Sequence, residues 1–98
     1  MLIVRYKARV SDIVRERIDH YCEVRPDFRK VWNNIIWKVE MGMADKYMED
    51  RGDGRYTVTL THSPRYPVIT LYLRIPKRPE WPELGQVDIM DATFHDMH

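Results

Sequence analysis

At the start of the chain Leu2, Val4, Tyr6, Ala8 and Val10 alternate with Ile3, Arg5, Lys7 and Arg9. That period of two predicts a strand with one buried and one largely basic face. Beyond Ser11 and Asp12, either of which can cap a helix, Val14, Ile18, Tyr21, Cys22 and Val24 follow at mostly three- and four-residue spacing. This predicts an amphipathic helix. Pro26 and Asp27 suit the start of a second helix, since the missing N–H costs nothing there and a carboxylate meets the positive end of the dipole. Phe28, Val31, Trp32, Ile35, Val39 and Met43 then form one broad apolar stripe. Trp37, Met41, Ala44 and Met48 lie about 180° around from Phe28 at 100° per residue. Either the helix continues and is apolar on two sides, or Gly42 ends it near Met41 and residues 43–54 are a connecting loop over Trp37.

Arg51-Gly52-Asp53-Gly54 is a turn cluster, after which Tyr56, Val58, Leu60 and His62 alternate with Thr57, Thr59 and Thr61. A hairpin-length connection, Ser63 to Pro67, leads to a third strand, with Ile69, Leu71, Leu73 and Ile75 on one face and Thr70, Tyr72 and Arg74 on the other. Pro76, Pro79 and Pro82 forbid continuation, so residues 76–86 form an irregular Pro-rich loop bearing Trp81, and Val87 to Phe94 is the last strand. The expected fold is α+β in the order β-α-α-β-β-β, with two N-terminal helices packed on one face of a small, mainly antiparallel sheet.

Length and charge narrow the function classes. Ninety-eight residues make one domain, 1–98, and exclude a multidomain enzyme. No apolar run approaches the roughly 20 residues needed to span a bilayer. Arg5, Lys7 and Arg9 break up the apolar start that a secretory signal would need, so a cytoplasmic location is expected. Cys22 is the one cysteine, which rules out an intrachain disulfide. The formal net charge of +1 conceals a division. Residues 51–78 carry six Lys or Arg against Asp53, a net +5, and residues 79–98 carry five carboxylates and no Lys or Arg, a net −5. A basic patch can bind phosphate even when the whole chain is nearly neutral.

Familiar motifs are excluded in turn. Arg51-Gly52-Asp53 is explained by turn chemistry, and no calcium loop, phosphate-binding Gly-rich loop or nucleophile elbow is present. His95, Asp96 and His98, or His20 with Cys22, fall short of a metal framework. Neither a metal nor a cofactor is expected. The remaining candidate is the polar face of the sheet. Arg5, Lys7, Arg9 and Tyr72, joined by Arg65 in the hairpin connection, can hold single-stranded RNA, because guanidinium groups bind phosphate and an aromatic ring stacks on an unpaired base. Cleavage of RNA by its own 2′-hydroxyl needs a base, an acid and a cation on the phosphate. Arg74, His95, His62, Glu49 and Arg55 are the candidates for those catalytic roles, the histidines because imidazole changes charge near neutral pH.

The element order, the short basic first strand and the hairpin Tyr56–Ile75 resemble the RelE/ParE toxin superfamily. The resemblance implies one of two activities: metal-independent cleavage of mRNA on the ribosome, or poisoning of DNA gyrase. It also implies neutralisation by a cognate antitoxin, and it places functional side chains at Arg74 and His95 and, more loosely, at Arg55. The chain differs from the family in its acidic terminal segment, its lack of a C-terminal Tyr and its long Pro-rich loop. A second class stays open: a non-catalytic protein-binding inhibitor, phage-encoded or of immunity type. Such a protein would hold a host target through Trp37, Met41 and Trp81, with the acidic segment imitating nucleic-acid phosphate. A homodimer is compatible with both.

Overall fold

In the computed structural model, which describes residues 4–61, 65–80 and 83–95, the chain runs β1 (Tyr6–Val10), α1 (Asp12–Val24), α2 (Phe28–Glu40), a short 3-10 turn (Asp45–Tyr47), β2 (Glu49–Gly52), β3 (Arg55–Leu60), β4 (Val68–Arg74) and β5 (Gly85–His95). The strands form one sheet in the order β1-β5-β4-β3-β2. Only β1 and β5 pair in parallel, which the helical crossover between β1 and the rest of the chain makes possible. The architecture is the expected α+β one, with both helices on one face of a mainly antiparallel sheet.

Ser11 caps α1, its hydroxyl accepting from the Val14 N–H at 3.4 Å. Asp27 sits at the N-cap of α2 but caps no N–H there. Its carboxylate accepts instead from the Tyr66 hydroxyl, tying the helix start to the β3–β4 connection. That bond holds the Asp27 carboxyl below its ordinary range and pushes the Tyr66 phenol up.

The end of α2 is decided by Gly42, which has φ +75. The Gly42 N–H donates to Val39 and the Met43 N–H to Lys38, a Schellman closure that an L residue would resist. The helix therefore stops, and Met43 leaves the apolar stripe to become half-exposed. The segment after it is not wholly a connecting loop, however. Residues 49–52 pair with β3 as a fifth strand, and Asp53-Gly54 is the turn of that hairpin. All four β2 residues are exposed and none is apolar, so no alternation marks the strand in the sequence.

The core lies between the helices and the inner sheet face. Val14, Ile18, Phe28, Trp32, Ile35 and Val39 meet Tyr6, Val58, Ile69, Leu71, Val87 and Ile89 there. Phe28 packs edge-on against Tyr21 and Phe94, which closes one end of the layer. At the other end Tyr6, fully buried, donates to Asp45 Oδ2 at 3.1 Å and accepts from Arg78 Nη1 at 3.1 Å. Arg5 joins the same carboxylate at 3.0 Å. No helix is long and apolar enough to cross a membrane among the described residues.

Two glycines of the β2–β3 hairpin have positive φ but different surroundings. A Cβ at Gly52 (φ +90) would meet open space, whereas one at Gly54 (φ +73) would lie 2.9 Å from the Ile75 carbonyl oxygen. Gly52→Ala is expected to cost about 1–2 kcal/mol from backbone strain alone, and Gly54→Ala clearly more. Urea unfolding of the two variants checks this, and equal losses would contradict the close approach.

Candidate functional site

The outer face of the sheet carries no helix, and its side chains fall in rows set by strand register. Glu49 of β2 pairs with Thr57 of β3, and Thr57 with Tyr72 of β4. With about 4.8 Å between strands, the backbones of Glu49 and Tyr72 stand about 10 Å apart across Thr57. Two residues along the strands, Arg55 of β3 pairs with Arg74 of β4. Arg51 occupies a bulge of β2 beside them, where Nη2 donates to Glu49 Oε2 at 2.8 Å and Nε to Thr57 Oγ1 at 3.0 Å.

These residues line a cleft of about 920 Å³ walled by Tyr47 on one side and Met90 on the other. The volume lies within the usual range for ligand sites, roughly 300–1,000 Å³. Among the described lining residues Glu49 is the one carboxylate, against Arg51, Arg55 and Arg74. Arg55 and Arg74 make no ion pair among the described residues. Like charges placed directly opposite on paired strands destabilise a sheet, so this row of two guanidiniums costs the ligand-free protein stability.

Asp88 explains why the positive field collects here. It is the cross-strand neighbour of Arg74, yet its carboxylate leans to the other side, towards Arg9 at 3.6 Å and the Gln86 amide at 3.1 Å. Asp91 likewise pairs with Arg17 of α1 at 2.6 Å. The acidic last strand is thus spent on β1 and α1, and the basic charge of β3 and β4 is left to the cleft.

Of the side chains singled out in the sequence, Arg74, Arg55, Glu49 and Tyr72 are brought together. His95 is not one of this group. It pairs with Val68, six residues from Arg74 along β4 and so roughly 20 Å away, and bonds to Thr93 Oγ1 at 3.2 Å. Arg65 lies towards that far end too, its carbonyl accepting from Arg25. Lys7 and Arg9 share the outer face but stand across β5 from the cleft. Arg5 leaves the face altogether for Asp45, because it precedes the regular part of β1 and its side chain passes beneath Gly42. Its guanidinium is held above its ordinary pKa, first by a hydrogen bond with Tyr6.

Trp37 is 41% exposed on α2, on the helix side of the sheet, and Met41 is half-buried at the helix end. His62 and Trp81 lie outside the described residues. Sequence reasoning missed Tyr47, Arg51 as a site residue, and Met90. Arg51 reads as part of a turn, and Met90 is the extra residue of a bulge in β5, which no periodicity announces. No group of three or more potential metal ligands gathers among the described residues.

Comparison with protein-family models, with curated proteins and with solved structures finds no match to this chain.

Relieving the Arg55–Arg74 opposition gives a direct check on the site. Arg55→Thr is expected to stabilise the ligand-free protein by about 0.2–1 kcal/mol at low salt, a gain that fades as salt screens the repulsion. Urea unfolding at two ionic strengths measures it, and a salt-independent loss of stability would contradict the reading.

Proposed function

We propose that the protein is a toxin of the RelE/ParE kind that binds single-stranded RNA in the outer-face cleft and cleaves it. The reading is carried by the two adjacent rows, a pair of arginines with no ion-pair partner among the described residues next to a carboxylate and a phenol that flank a threonine. A phosphate held by Arg55 and Arg74 has Glu49 on one side and Tyr72 on the other. In the step that follows, the ribose 2′-oxygen bonds to phosphorus as the bond to the 5′-oxygen breaks. Glu49 takes the 2′-hydroxyl proton and Tyr72 gives one to the leaving 5′-oxygen, so a 2′,3′-cyclic phosphate and a 5′-hydroxyl result. The arginines meet the charge that grows on the non-bridging oxygens, which is the task a metal ion would otherwise perform. Thr57, Thr59 and Thr70 offer hydroxyls to the sugar, and the exposed Tyr47 ring offers a stacking face. The cytoplasm, where mRNA is translated, is the place of action that goes with this chemistry, and a cognate antitoxin is the partner.

One observation favours the second reading, that of a protein binder. Trp37 is 41% exposed, and tryptophan is among the usual anchors of protein interfaces. In a toxin the same residue is a contact for the antitoxin.

Expression of the wild-type chain is expected to arrest growth and to leave RNA ends with cyclic phosphate. Arg74→Ala should lower cleavage by about 10²–10³, and Glu49→Gln and Tyr72→Phe each by about 10²–10⁴. His95→Ala should leave the rate unchanged. End-group analysis of a defined RNA after incubation measures all four, and loss of cleavage in His95→Ala with activity retained in Glu49→Gln would sink the assignment.

A further inference from the structure

A second cavity, of about 410 Å³, opens beside the first. It exists because β2 pairs with β3 only as far as Thr57, so that the stretch Thr59–Thr61 has the C-terminal end of α2 and the turn after it as its neighbour instead of a strand. Tyr47 and Thr59 line both cavities. Lys38 and Lys46 line the second, and no carboxylate does so among the described residues. Lys46 Nζ lies 5.1 Å from the Tyr47 ring centroid. The nearby Asp45 carboxylate is turned away, towards Arg5, Tyr6 and Arg78.

From this juxtaposition we infer that the two cavities form one track for a single RNA strand, with Lys38 and Lys46 as a second phosphate subsite and Tyr47 as the stacking platform between the subsites. The inference rests on the RNA reading of the first cavity. From Arg55 to Thr61 the track follows β3 and one residue beyond it, roughly 20 Å. At a stacked rise of about 3.4 Å per nucleotide it takes at most about six nucleotides. A dinucleotide on Arg55 and Arg74 cannot reach the lysines, whereas a hexanucleotide can. The substrate is therefore a short run of unpaired RNA threaded across the sheet edge, and affinity grows with length until the track is full.

The test uses 2′-O-methyl oligonucleotides, which lack the attacking hydroxyl, and follows their binding by fluorescence anisotropy at several salt concentrations. The wild type is expected to bind a hexanucleotide at least about tenfold more tightly than a dinucleotide. Lys38→Ala with Lys46→Ala should abolish that advantage and leave dinucleotide binding unchanged. It should also flatten the hexanucleotide's salt slope by about 1.4, the equivalent of two phosphate contacts on a single strand. Circular dichroism of the double variant verifies its fold, and Lys38→Arg with Lys46→Arg should restore the length dependence.

If the double alanine variant keeps the full hexanucleotide affinity while Arg55→Ala with Arg74→Ala loses it, the second subsite is overturned and the first stands. If no oligonucleotide of any length binds the wild type, the RNA reading falls as a whole. Polyglutamate competing as well as RNA of equal charge would overturn the track in favour of an acidic protein partner.

Discussion

Two helices of thirteen residues can cover one face of this sheet and no more. Each is about 20 Å long and about 10 Å wide, whereas five strands span roughly 24 Å across. Burial of apolar area therefore goes to the inner face alone, and the outer face has to be compatible with water. The proposed site depends on that constraint. A face released from packing can hold side chains chosen for chemistry, and β-strand register places them in rows whose spacing the backbone sets.

The arrangement of charge follows from where the last strand is inserted. Parallel pairing with β1 sends β5 between β1 and β4. Its carboxylates then meet Arg9 on one neighbour and Arg17 on the helix above. Arg17 also donates to the Ala92 carbonyl, and Ser11 to that of Met90, so the same contacts satisfy the edge of β5 where β1 has run out. Asp88 and Asp91 are thus internal counter-ions for β1 and α1. The near-neutral total conceals a net +5 over residues 51–78, the stretch that supplies Arg51, Arg55 and Arg74 to the cleft.

A second cluster, Arg5, Tyr6, Asp45 and Arg78, shows arginine used for structure instead. Burial works against the Arg78 charge, but hydrogen bonds with Tyr56 and Tyr6 outweigh it and raise the pKa of the guanidinium. Its head also lies 4.7 Å from the Tyr56 ring centroid. The cluster fastens the turn after α2 and the start of the Pro-rich loop to the first strand. That turn carries Tyr47, so the wall of the cleft is positioned by contacts on the other side of the sheet. The contrast with Arg55 and Arg74 is physical: one pair of arginines shares a carboxylate, and the other, among the described residues, has no ion-pair partner and neighbours an acid that is already engaged.

The sequence alone determined what periodicity can carry. The strand at Tyr6–Val10, the two helices, the Val58 and Leu71 strands with their inner and outer faces, and the membership of Arg74 and Tyr72 in a polar sheet face are all legible, because alternation of two or of 3.6 records which side is buried. β2 was not legible, since a short edge strand exposed on both faces leaves no apolar pattern. Nor was the company that each polar residue keeps. Whether Arg5 faces RNA or Asp45, whether Asp88 answers Arg74 or Arg9, and whether His95 lies near Arg74 or roughly 20 Å from it depend on register and strand order. Those are set by packing among segments far apart in the chain, and only the tertiary structure decides them.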